Sequence, residues 1–92
     1  MTANTKDDVR EFLLEFLAGK LKERGSQLPE SVPDDCNLLI AGYLDSLGFV
    51  ELMTATQERF GREIDFDKLD PDRMTVFGAL SDFISQQLVN QD

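Results

Sequence analysis

Apolar residues in the first quarter of the chain recur at intervals of three and four, with charged residues between them. The apolar positions are Val9, Phe12, Leu13, Phe16, Leu17 and Leu21. This spacing places them on one face of an amphipathic helix. The sequence therefore predicts a first helix from about Lys6 to about Arg24, with Gly25 as a natural stop.

Residues 25–45 lack this periodicity and contain many residues that break regular structure. These are Pro29, Pro33, Asp34, Asp35, Asn37 and Gly42, and among them lie the apolar residues Leu28, Val32, Leu38, Leu39 and Leu44. We predict a long loop that its apolar side chains pin to a core. Loops of this length are uncommon in compact domains unless they serve a function.

A second helix is predicted to begin near Ser46 and to end at Gly61, with apolar residues around more than half of its circumference. One stripe, predicted to face inward, consists of Leu52, Met53, Thr56 and Phe60. A neighbouring stripe consists of Leu47, Val50 and Thr54, with Glu51 and Glu58 close by. The second stripe fits a partner's apolar groove edged by bases. Alternatively, both stripes are buried because the helix is central.

The last third of the chain predicts at most a short helix at residues 67–70, before Pro71, and then a long one. Thr75 is a candidate cap for this final helix. Its apolar positions are Val76, Leu80, Phe83, Ile84 and Leu88. No strand alternation competes, so the sequence predicts one all-α domain over residues 1–92, with a core of about 6–89, three long helices and one short.

Composition argues against an enzyme. The chain has 92 residues, no His and one Cys, which removes the usual general base, any Cys/His dyad and thiolate-rich zinc patterns. The acids between 65 and 72 do not follow the spacing of a calcium-binding loop, because Leu69 and Asp70 fall at a ligand position and the glycine position. We predict no catalytic residues and no metal site.

The entire net charge of −9 lies in one part of the chain. Residues 1–24 carry five charges of each sign, so of nine Lys and Arg and 18 Asp and Glu, four bases and 13 acids remain for residues 25–92. Such a surface repels nucleic acid and anionic membranes and attracts a basic protein, unless it serves only solubility. With no secretory signal or spanning apolar run, we expect a cytoplasmic protein that is a monomer in isolation.

Ser46, at the predicted start of the second helix, is the candidate site. Unpaired amides and the positive end of the helix dipole favour an anion there, so a phosphoester on its hydroxyl would be stabilised. The alternative is that Ser46 is only an N-cap, a common position for serine.

The stretch from Leu38 through Ile84 resembles the acyl carrier proteins. Residues 38–48, which read Leu-Leu-Ile-Ala-Gly-Tyr-Leu-Asp-Ser-Leu-Gly, are similar to that family's attachment segment. Further landmarks are Val50-Glu51-Leu52, Phe60, Ile64 and Thr75-Val76. The resemblance implies a four-helix bundle of acyl-carrier type with a long loop between helices 1 and 2.

The resemblance also implies a function and its residues. Ser46 would be esterified by the 4'-phosphopantetheine arm of coenzyme A, which a magnesium-dependent phosphopantetheinyl transferase transfers. Asp45 would help the transferase to recognise the site or would help to place its metal ion. The arm's thiol, and not Cys36, would carry an acyl or aminoacyl group from an activating ligase to a downstream acyltransferase or synthase. Partner enzymes would contact the positions Leu44, Leu47, Val50, Glu51, Thr54 and Glu58.

Within that family, Leu44 before the acid and Gly48 after the leucine are closer to D-alanyl, aminoacyl or secondary-metabolite carriers than to fatty-acid carriers. If Phe49 points inward, it would reshape the cavity that holds long chains and favour short or polar cargo. A fatty-acid carrier is the nearest alternative. An unmodified acidic interaction module and a phosphorylated regulatory domain are rivals of other classes.

Overall fold

Three α-helices form the framework of the part of the chain that the computed structural model describes, residues 5–70 and 72–90. α1 is Thr5–Glu23, α2 is Ser46–Phe60 and α3 is Phe77–Asn90, with a single 3-10 turn at Phe66–Lys68. This described part holds no strand, only an isolated antiparallel bridge between Asn37 and Val76. The all-helical class is confirmed. A four-helix bundle is not confirmed, because the predicted short helix is only one 3-10 turn.

The core forms where α1 packs against both α2 and α3. α1 presents one buried residue per turn, and α3 contributes buried residues to the same core. The fully or almost fully buried apolar side chains of these two helices are Val9, Leu13, Leu17, Leu21, Phe77, Leu80 and Ile84. The Cα radius of gyration of 12.7 Å matches the ~12 Å expected for a compact domain of this length.

α3 begins at Phe77, two residues beyond the predicted cap, so the prediction that Thr75 caps this helix is wrong. The Thr75 carbonyl instead accepts the amide of Leu38 at 2.7 Å, beside the bridge between the long loop and the start of α3. The backbone around Thr75 therefore belongs to the loop contact and not to the helix.

The loop between α1 and α2 is fastened to the other elements, as predicted. Val32 and Leu38 are buried in the core, and the Arg10 guanidinium on α1 donates to the Asp34 carboxylate at 2.6 Å. Near its end the loop turns tightly through Gly42, whose φ of 82° lies in the left-handed region that favours glycine. This turn delivers the chain to the start of α2.

Candidate functional site

Asp45 caps α2. Its backbone is extended, with φ −100° and ψ −177°, and its Oδ1 accepts the amide of Gly48 at 2.6 Å. The Asp45 carbonyl accepts the amide of Phe49 at 2.9 Å, which closes the first helical turn. Ser46 is therefore the first residue inside the helix, and the alternative that Ser46 is the N-cap is wrong because Asp45 holds that position.

Ser46 is exposed at the end of α2. Within the described part of the chain, the amides of Ser46 and Leu47 meet no protein acceptor, whereas the third amide of the helix is taken by the Asp45 carboxylate. A helix start with free amides is electrostatically suited to an anion. The Ser46 hydroxyl thus lies beside a favourable position for a phosphoester.

Gly48 permits the close approach of the cap. A Cβ at this buried position would lie 3.1 Å from Asp45 Oδ1 and 3.2 Å from Leu44 Cδ2, tighter than ordinary van der Waals contact. The sequence analysis noted Gly48 only as part of the segment 38–48 and assigned it no structural role. The glycine follows the acid by three residues, the spacing at which a cap carboxylate meets a helix amide.

Leu44 does not join the predicted partner surface. Its side chain is only 4% exposed and belongs to the core cluster. Its amide donates to the Leu38 carbonyl at 3.2 Å, which folds the end of the loop inward against the core. The expectation that Leu44 contacts a partner is therefore wrong.

The second stripe of α2 is open to solvent. Leu47 is 68% and Val50 51% exposed, and Thr54, Glu51 and Glu58 are also exposed. The inward stripe includes the buried residues Leu52 and Thr56. The interpretation that both stripes are buried is therefore wrong, while partner binding by the outer stripe stays a prediction.

Phe49 points into the core, where it is 6% exposed and belongs to the same apolar cluster as Leu52 and Ile64. The inward orientation on which the cargo hypothesis depends is therefore present. The aromatic ring occupies interior volume beneath the start of α2, close in sequence to Ser46.

A groove between the end of α1 and the start of α2 opens beside Asp45 and Leu47, with a volume of about 190 Å³. Lys20 forms an ion pair with Glu51 across this groove, and hydrogen bonding to Glu51 raises the pKa of Lys20 above its ordinary value. Arg24 donates to the carbonyls of Gly42 and Tyr43 at 2.7 and 3.3 Å. Sequence reasoning missed both cations, because nothing in their helical spacing indicates partners 18 to 31 residues away.

Several of the other titratable groups that the structure describes make local contacts. Among the described residues, no group of three or more His, Cys, Asp or Glu could hold a metal ion. Asp65 and Asp70 accept local amides at 3.2 and 3.0 Å, as turn-forming acids do. Cys36 is partly buried, and desolvation, followed by the charge of Asp35, raises the pKa of its thiol.

Each described helix is too short or too polar to cross a lipid bilayer. No model of a known protein family matches the chain, no curated protein matches it, and no solved structure matches it.

Proposed function

We propose that this chain is a discrete acyl carrier protein, with a phosphopantetheine arm on Ser46 that carries an acyl or aminoacyl group between the enzymes of a specialised pathway. The observation that carries the proposal is the position of Ser46. Its hydroxyl is exposed at the first residue of α2, and Asp45 already performs the capping that serine commonly performs. The hydroxyl is thus available for modification at no cost to the helix.

The residues around Ser46 fit a phosphodiester. The amides of Ser46 and Leu47 point out of the start of α2 without a protein acceptor in the described chain, and the helix dipole adds positive potential there. The arm supplies the thiol chemistry, so the chain itself needs no nucleophile or general base. This agrees with a chain that has no His and whose one Cys has a raised pKa.

Asp45 would serve the transferase as well as the helix. One carboxylate oxygen is bonded to the Gly48 amide, and a carboxylate has further acceptor capacity. We assign that capacity to recognition by the transferase or to placement of its magnesium ion.

Partner enzymes would dock on the exposed stripe of α2. Its apolar residues Leu47 and Val50 are bordered by Glu51 and Glu58, which fits an apolar groove edged by basic residues. Thr54 lies on the same face. The transferase, an activating ligase and a downstream acyltransferase or synthase would use this surface in turn, in the cytoplasm, with the carrier as a monomer.

The cargo would be short or polar. Phe49 is packed into the core beneath the start of α2, so its ring takes volume that a sequestered long chain would need. A fatty-acid carrier is the alternative. Long-chain loading onto the modified protein, followed by measurement of thioester hydrolysis, separates the two. Protection of a long acyl group from solvent would contradict the short-cargo assignment.

Intact mass after incubation with coenzyme A, magnesium and a broad-specificity phosphopantetheinyl transferase tests the proposal. We expect one phosphopantetheine addition to the native chain, none to Ser46→Ala, and a normal addition to Ser31→Ala, a matched exposed serine in the loop. Because Asp45 is the cap, Ser46→Ala should keep its fold and helical circular dichroism. A phosphate-sized addition from a kinase would favour the regulatory rival. No addition to folded protein by several transferases would reject the carrier and favour the unmodified interaction module.

A further inference from the structure

Two cations near the C-terminal end of α1 contact the chain on both sides of Ser46. Arg24 Nη2 donates to the carbonyl of Gly42 at 2.7 Å and to that of Tyr43 at 3.3 Å, just before the modification site. Lys20 pairs with Glu51, which lies beyond Ser46 on α2. The segment from 42 to 51 is therefore held at one end by Lys20 of α1 and at the other by Arg24, the residue that follows α1.

α1, which carries Lys20 and leads directly into Arg24, is itself fixed. Leu17 and Leu21 are buried on the core side of the same turns of α1. The Lys20 side chain is only 28% exposed, and its ammonium lies 5.6 Å from the centroid of the Phe16 ring. Both contacts therefore connect the exposed Ser46 segment to an element that the core immobilises.

The turn at residues 39–43, the last part of the loop before Ser46, has mainly local backbone contacts. The amides of Ala41, Gly42 and Tyr43 donate to carbonyls of residues 37–39, which lie three to five positions earlier in the chain. The side chain of Ile40 is 85% exposed. The Arg24 bond joins this turn to a different element, whereas the turn's own amides maintain only its internal shape.

We propose that Arg24 and Lys20 form a brace that sets the conformation in which Ser46 is presented to the modifying enzyme. This rests on the proposed carrier function. Both are positioning residues, since neither supplies the acceptor hydroxyl. Without the brace, the segment 42–51 would spend less time in the conformation that the transferase accepts.

If a smaller fraction of the carrier is in the conformation that the transferase accepts, its apparent affinity for the transferase falls in proportion. The complex that does form is unchanged. The KM for the carrier as substrate should therefore rise, while kcat should stay nearly constant. Exposed ion pairs and hydrogen bonds of this type have small individual effects, so we expect a rise of about two- to fivefold in KM for each of Arg24→Gln and Lys20→Gln. The double variant should exceed either single change.

The matched control is Lys22→Gln. It removes the same charge from the same end of α1, but Lys22 lies on a different groove, beside Ala18, Ser26 and Leu28. The conservative variant Lys20→Arg keeps a cation opposite Glu51 and should restore a KM close to that of the native chain. A rise in KM that Lys22→Gln reproduces would overturn the brace and assign the effect to net charge.

Amide hydrogen exchange gives a readout that does not depend on loading. Arg24→Gln should speed exchange at Tyr43, Leu44 and Gly48, and should leave the amide of Leu80 in α3 unchanged. The brace is supported only if exchange and KM change together, and unchanged values of either quantity in Arg24→Gln would overturn it. If no transferase loads the native chain, the carrier function is refuted and the role of the brace in presenting Ser46 is refuted with it. If the native chain loads but Arg24→Gln does not change exchange, only the brace is refuted.

Discussion

The starts of α2 and α3 solve the same physical problem in opposite ways. Every helix begins with amides that have no partner within the helix. At α3, the amides of Phe77 and Gly78 donate to the carbonyls of Cys36 and Asp34, both at 2.8 Å, and the two residues are buried. At α2, a single carboxylate takes the third amide, and Ser46 and Leu47 stay exposed.

The two helix starts differ in whether the protein itself supplies acceptors for their first amides. The long loop closes the start of α3, because its carbonyls already accept the first two amides of that helix. The start of α2 leaves its first two amides without a protein acceptor in the described chain, and it has a serine hydroxyl at the first position. A helix start indicates an anion site only where the protein has not already filled it.

The largest effect is expected from Gly78→Ala, which attacks the closed helix start. A Cβ there would lie 2.7 Å from Asp34 Cβ and 2.9 Å from the Asp34 carbonyl oxygen. Because this neighbour includes backbone, it cannot move without opening the loop. We expect a loss of about 1–3 kcal/mol in the free energy of unfolding, measured by urea denaturation.

Two glycine variants serve as controls for that measurement. Gly19→Ala meets nothing within 4 Å inside α1 and should raise stability by up to about 1 kcal/mol. Gly48→Ala meets side-chain atoms only, so the open helix start should tolerate it better than the closed one tolerates Gly78→Ala. Equal losses at positions 48 and 78 would erase the contrast between the two helix starts.

Asp45 allows capping and recognition to be separated at the open helix start. Asp45→Ala removes the oxygen that accepts the Gly48 amide, and should cost about 0.5–2 kcal/mol of stability. Asp45→Asn retains a carbonyl oxygen in the same position, and asparagine is about as good a cap as aspartate. We therefore expect native stability but slowed phosphopantetheinylation for Asp45→Asn.

Thermal unfolding and the rate of phosphopantetheine addition check this expectation. Both are measured on the native chain, Asp45→Ala and Asp45→Asn. If Asp45→Asn loads as fast as the native chain, the negative charge of Asp45 has no part in transferase recognition or metal placement. If Asp45→Asn instead loses as much stability as Asp45→Ala, the contact with Gly48 depends on charge and not on a neutral hydrogen bond.

The sequence predicted the helices well because their signals are local. Buried positions of α1 such as Leu13 and Leu17 repeat with helical period, and Gly61 ends α2 in a left-handed conformation with φ 67°. Periodicity also placed Leu47 and Val50 on a common stripe of α2, but it did not decide whether that stripe is exposed or buried.

The details at the helix starts could not be predicted, because they depend on contacts between distant parts of the chain. The shift of the α3 start beyond Thr75 results from its carbonyl bonding to Leu38. The burial of Leu44 results from a loop that folds back on the core. The ties of Arg24 and Lys20 to the Ser46 segment likewise join residues that no local pattern connects.

Cys36 offers the mildest probe of the closed helix start, since its carbonyl accepts the Phe77 amide. Desolvation, and then the charge of Asp35, raise the pKa of its thiol above the ordinary value of 9.0. Only the thiolate reacts with iodoacetamide, so alkylation at pH 8 should be slower in the folded protein than in the urea-unfolded chain. The pH at which alkylation reaches half its maximal rate should also be higher in the folded protein.

The same shift has a consequence for stability. Folding favours the neutral thiol, so its contribution is complete below the unfolded pKa near 9 and is lost as the pH rises through the folded pKa. Gly78→Ala, by opening the loop at Asp34, should speed alkylation of Cys36, whereas Asp45→Ala at the other helix start should not. Equal acceleration by both variants would mean that the two helix starts open together and are not independent parts of the structure.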